Sequence, residues 1–205
     1  MDIGAYIGHG WNTFKANPGP FIVVTVAVML ANAALLFLGS LLPLMLGSIV
    51  SIGVSGLTLG AYAQMGLKGS RGQAVELADI AVVLERPVDF IVVGLAASIG
   101  WLGCVVGVVV TQALFLFATF LVLGGVGYQD ALSASMNASK ARFMDVLLLV
   151  IVVFVLNGIG LALCGLGLLV TVPVGFIALA KAFDDLNITP QGAMVTPPPP
   201  HQQLP

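Results

Sequence analysis

Asn32, Gln112 and Asn157 are the most polar side chains that fall deep inside the long apolar runs of this sequence. A carboxamide both donates and accepts hydrogen bonds and carries no charge. Three of them at depth have two uses. They line a path for a neutral molecule, or they tie neighbouring helices together, a contribution of roughly 0.6 kcal/mol each in lipid. Other reactive chemistry is sparse. His9 and His201 stand far apart, and neither belongs to a carboxylate and nucleophile constellation. Cys104 and Cys164 match neither a zinc pattern nor CxxC. They read as small apolar side chains, with a disulfide as the alternative if they face an oxidising compartment. No paired carboxylates or activated nucleophile lie at depth, which argues against an enzyme. No cofactor or metal is expected.

Small residues supply a second kind of signal. Gly56 and Gly60 form a GxxxG that lets another helix approach closely, within the chain or from a second subunit. An offset of 60 residues aligns Gly47, Gly107 and Gly167, and with them Ser51, Thr111 and Thr171. Glycine permits close backbone approach at a turn. The hydroxyls can bond to a preceding carbonyl or to a neighbouring helix.

The elements that must position these groups follow from composition. Of 205 residues, 59% are hydrophobic and 8% charged, against about 25% charged in a typical soluble domain. Mean hydropathy is +1.11. A soluble fold of this length cannot hide so much apolar surface, so the surplus is expected to face lipid. The net charge of -2 and the absence of a basic patch argue against nucleic-acid binding. Residues 1–19 lack the basic n-region of a cleavable signal, so the first membrane helix is expected to direct its own insertion.

Stretches 16–67, 90–129 and 146–180 contain no Asp, Glu, Lys or Arg and hold 52, 40 and 35 residues. A crossing helix needs about 20 residues, so each stretch fits a helical hairpin. The expected fold is all-α and polytopic, with six spans at 20–39, 43–67, 88–103, 105–125, 145–163 and 165–183. Shallow hairpins that do not cross are the alternative, since three of the spans are short.

An amphipathic helix is expected before each hairpin, lying as an interfacial helix in the headgroup plane or, as the alternative, packed on the spans as a plain connecting helix. Residues 2–17 place Ile3, Ile7 and Phe14 on one side. Residues 70–86 open with a capping-box pattern, Ser70 and Gln73, and set Ala78, Val82 and Leu84 against Glu76, Asp79 and Arg86. Residues 130–143 start at Asp130 and set Leu132, Met136 and Phe143 against Ser133, Asn137 and Lys140. Three such blocks, about 1–67, 68–127 and 128–186, suggest a threefold internal repeat. Residues 187–205, with their Pro197–Pro200 run, read as a disordered cytoplasmic tail of polyproline character, open to a partner domain. All seven Lys and Arg fall on one side of this layout, so the positive-inside rule places that side and both termini in the cytoplasm.

Three motifs carry a family resemblance. They are Trp11-Asn12-Thr13-Phe14-Lys15-Ala16-Asn17-Pro18 before the first span, Ala131-Leu132-Ser133-Ala134-Ser135 with Lys140 before the fifth, and the run from Cys164 to Val174 followed by Ala180 and Phe183. Together they resemble a group of small bacterial inner-membrane proteins of unknown function. That group is similar to the membrane domain of some bacterial glycerophosphodiester phosphodiesterases. The resemblance covers residues 1 to about 186, implies six spans in a bacterial inner membrane, and supplies no catalytic residue.

Two functions are compatible with these features. One is a non-enzymatic membrane protein that organises or shapes the bilayer, or assembles laterally into a homo-oligomer, with membrane lipids as its partners. The other is a small transporter or channel for a neutral or lipid-like substrate, lined by Asn32, Gln112 and Asn157.

Overall fold

The computed structural model describes residues 2–41, 43–98, 104–163 and 165–188. Helix α1 (Ile3–Ala16) starts at Asp2, whose carboxylate accepts from the Ala5 N–H at 3.0 Å, satisfying a donor left open at the helix start. Pro18 opens α2 (Pro18–Ser40), where its missing N–H costs nothing. Helix α3 (Leu44–Ser70) ends at Gly72, whose φ of 67° is left-handed. A 3-10 helix (Leu77–Glu85) leads to α4 (Pro87–Ser98). Then come α5 (Cys104–Phe115), α6 (Ala118–Leu123), α7 (Tyr128–Ala141), α8 (Phe143–Ala162) and α9 (Leu168–Leu186). Among the described residues the chain is all-helical.

Helices α2 and α8 are long and apolar enough to cross a membrane. Only 22% and 28% of their most apolar stretches are buried, whereas the core helix of a soluble protein would be mostly enclosed. Leu30, Phe37 and Leu38 on α2, and Phe154, Val155, Ile159 and Leu161 on α8, are more than half exposed. Helices α2, α3, α8 and α9 cover the stretches 20–39, 43–67, 145–163 and 165–183 within a few residues, and among the described residues α2 and α8 are the two long and apolar enough to cross. The span at 88–103 is α4 as far as Ser98, and 99–103 lie outside the described residues.

Helix α3 is the hub: α2, α4, α6, α9, α1 and the 3-10 helix all pack on it. Its glycines make this possible. A Cβ at Gly56 would stand 2.2 Å from the Phe90 carbonyl oxygen of α4, and one at Gly66 would stand 2.5 Å from the Phe176 oxygen of α9. The backbones therefore touch directly on two sides of α3. Ion pairs lace the charged end of the bundle. Arg71 donates twice to Asp184, at 2.7 and 3.1 Å, and Lys68 pairs with Asp79 at 2.6 Å.

The first of the three expected amphipathic helices turns its apolar side, Ile3, Ile7 and Phe14, to the core, while the second and third depart from expectation. Helix α1 docks along α9, burying Gly10 and Phe14 and leaving Trp11 outward under the Lys15 ammonium. The second segment is not an α-helix beginning at Ser70. Ser70 still belongs to α3, and the capping box is formed by Glu76 and Asp79 at the head of the 3-10 helix. Its inward residue is Val83, while Leu77, Val82 and Leu84 face out. On α7 the buried stripe is Ala131, Ala134, Ser135, Ala138 and Ser139, with Leu132 and Met136 at its flank. Small side chains win that face because they let α7 approach α5 and α6 closely. The chain stays packed through Ile188, 8% exposed, so the first two residues assigned to the tail belong to the body; 189–205 lie outside the described residues.

The expected span at 105–125 is broken at Leu116 and Phe117. Ser135, fully buried on α7, inserts there. Its hydroxyl donates to the Leu114 oxygen at 2.9 Å and accepts from the Phe117 N–H at 3.2 Å. A side chain wedged into the i→i−4 ladder is an established cause of helix breaks. Ser135→Ala removes the partner of two buried backbone groups and should cost about 1–3 kcal/mol. The thermal midpoint in lipid nanodiscs reads this, and an unchanged midpoint would mean the break is set elsewhere.

Candidate functional site

The helix break borders a cavity of about 140 Å³ between α3, α5, α6, α8 and α9. Its walls are mostly apolar, including Leu59, Val150, Val153, Phe176 and Leu179, and its polar members are Gln112, Thr119 and Asn157. Among the described residues no charged side chain lines it. Phe154, 52% exposed, forms part of the wall, so the cavity reaches the outer surface on the α8 side.

Two polar atoms in this lining have no hydrogen-bond partner. They are Thr119 Oγ1, on a residue 2% exposed, and Asn157 Oδ1. Several other hydroxyls in these helices are satisfied. In the unbroken helices, Ser51, Thr58, Ser98 and Thr111 each donate to the carbonyl four residues back, at 2.6–2.9 Å. Thr119, directly after the break, makes no such bond, and neither does Ser139 on the continuous α7. Asn157 lies near Gly175, where a Cβ would stand 3.9 Å from its Nδ2. A buried polar group without a partner costs about 1–3 kcal/mol. Both atoms are enclosed by protein, so a guest in the cavity meets them only when the two side chains turn toward it.

The structure brings two of the three expected carboxamides together and leaves the third apart. Gln112 and Asn157 share the cavity. Asn32 instead donates to Thr58 Oγ1 at 3.0 Å, and the Thr58 hydroxyl donates to the Val54 oxygen at 2.8 Å. That pair ties α2 to α3 in a separate groove of about 390 Å³ that includes Leu77 and Ile80. Of the two uses open to these carboxamides, Asn32 takes the helix tie, while Gln112 and Asn157 line the cavity. Thr119 was not singled out from the sequence, and Ser135 only as part of a motif, because hydroxyls in apolar helices ordinarily bond to their own backbone.

Gly56 and Gly60 both face α4: a Cβ at Gly60 would meet the Phe90 ring at 2.7 Å and Val83 at 3.1 Å. They serve helix packing within the chain, the first of the two uses open to the motif, since α4 already occupies the stripe. Of the three repeated motifs, two behave alike. Ser51 and Thr111 bond back to Gly47 and Gly107, each the fourth residue of its helix. Gly167 instead precedes α9, and Thr171 Oγ1 is buried without a partner against Gly160. The side chain of Cys104 and all of Cys164, with the pairing considered for them, lie outside the described residues. Among the described residues no three of His, Cys, Asp and Glu gather as a metal site.

Comparison with known proteins finds no matching family model, no matching curated protein and no matching solved structure.

Proposed function

We propose that the chain is a multi-pass membrane protein that binds a neutral, lipid-like molecule in the cavity between α6 and α8, in the manner of a small transporter or channel. The observation that carries this reading is the pair of unpartnered atoms, Thr119 Oγ1 and Asn157 Oδ1, in one apolar, uncharged cavity. An ionised ligand group would be left unpaired there and would be costly to bury. A hydroxyl or amide could instead donate to Asn157 Oδ1 and pair with the Thr119 hydroxyl. The volume, about 140 Å³, is close to the roughly 150 Å³ of an engineered cavity that accepts benzene. Only the head of an amphiphile fits, and its tail would leave past Phe154 into lipid. In this reading the exposed faces of α2 and α8 meet acyl chains, and the end bearing Lys68, Arg71 and Lys181 faces the cytoplasm.

The breadth of those exposed apolar faces also favours a second reading, lateral assembly or membrane organisation, in which the ligand is bulk lipid. One experiment separates the two. The protein in nanodiscs is irradiated with a photoreactive medium-chain alcohol, and the labelled peptides are mapped. Saturable labelling around Phe154 and Asn157, displaced by unlabelled alcohol but not by the matching carboxylate, is the expected result. Unsaturable labelling spread along α2 and α8 would overturn the binding reading and favour organisation.

A further inference from the structure

A second chamber lies at the charged end, directly beyond the cavity. Its volume is about 430 Å³, and its rim includes Gln64, Lys68 and Arg71. The two spaces follow the same three helices. On α3 the inner cavity takes Ala63 and the chamber takes Leu67; on α9 they take Leu179 and Phe183. Each step is one helical turn, about 6 Å. On α6 the residue that lines both is Phe120. Its ring stacks on Phe183 with centroids 5.3 Å apart and planes 21° apart, and Phe120 is 2% exposed.

We propose that the inner cavity and the charged-end chamber are two parts of one passage, and that the Phe120 ring, resting on Phe183, is the partition between them. This rests on the reading of the cavity as a ligand site. It adds that the ligand's hydrogen-bonding head passes from the bilayer side to the charged side, where Gln64 and the cations Lys68 and Arg71 replace Thr119 and Asn157 as its polar surroundings. The partition is held by ring stacking and not by a hydrogen bond. A side-chain rotation at Phe120 therefore opens it without stranding a polar group. Phe120 also sits on the six-residue α6, just after the break that Ser135 holds, so no long helix has to move with it.

The test measures the reach of water-soluble reagent into the inner cavity. Thr119→Cys is made in full-length protein carrying Cys104→Ala and Cys164→Ala, and reacted in nanodiscs with a charged methanethiosulfonate. With Phe120 in place the reaction is expected to be slow. Phe120→Ala should speed it at least tenfold. Phe183→Leu, which removes the stacking partner together with its contact to Phe117 but leaves the Phe120 ring, should speed it by less. A reporter at Asn137→Cys, on the exposed face of α7, should keep its rate in every background. Equal rates at position 119 with and without Phe120 would overturn the partition. So would a rise at both reporters, since that indicates loosening of the whole bundle. If the alcohol label fails to find Asn157 while this pattern holds, the ligand assignment falls and the passage stands. The reverse pair of results removes the passage alone.

Discussion

Gly56→Leu is expected to destabilise the fold by about 3 kcal/mol or more, the upper range for overpacking. The atom in the way is the Phe90 carbonyl oxygen, 2.2 Å from the ideal Cβ position, with the Phe90 carbonyl carbon at 2.9 Å. Backbone cannot rotate aside, so α3 and α4 must separate. Even Gly56→Ala should be clearly destabilising, although alanine is favoured over glycine inside a helix by about 1 kcal/mol. Gly158 supplies the control. It lies inside α8 with nothing within 4 Å of its Cβ position, so Gly158→Ala should gain up to about 1 kcal/mol from propensity alone. Thermal midpoints in matched nanodiscs would read the opposite signs. If both alanine variants move the midpoint the same way, the α3–α4 contact is not what fixes the hub. A change of oligomeric size with stability unaltered would restore the stripe as a subunit contact.

The same contrast marks what could be read from the sequence. Uncharged runs ending at Lys15, Lys68, Asp145 and Lys181 located four helices, because a charge is costly to bury and must sit near an end. The motif Gly56-x-x-x-Gly60 announced close approach, but its partner depends on where α4 lies, which is tertiary information. The break at Leu116 and Phe117 left no local trace. Its neighbourhood, Leu114-Phe115-Leu116-Phe117-Ala118, contains neither glycine nor proline, and its cause is a serine 18 residues downstream. On α7 the apolar pattern pointed to Leu132 and Met136, since hydrophobicity scales reward size, whereas tight helix packing selects Ala131, Ala134 and Ala138. The three carboxamides show the limit most directly. They are equivalent by type and depth, yet Asn32 found Thr58 across one hairpin, while Asn157 lines an open space and its enclosed oxygen has no partner.

That open space sets stability against binding at the same two residues. Replacing Thr119 by Val and Asn157 by Leu together should raise stability while lowering affinity for the neutral alcohol. Each substitution removes a buried polar atom that has no partner. Exchanging such a group for an apolar one of similar shape relieves a desolvation cost of about 1–3 kcal/mol. The bound state loses two hydrogen bonds of about 1 kcal/mol each, which is roughly 30-fold in affinity. Sites that hold a ligand commonly sacrifice stability in this way. The double variant is therefore expected to show a higher thermal midpoint without alcohol and a far smaller rise when alcohol is added. Saturable photolabelling at Phe154 should fade in parallel. A lower midpoint with undiminished labelling would mean that trapped water, bridging Thr119 and Asn157 into the surrounding lattice of helices, completes the cavity as a structural element and that the alcohol binds somewhere else.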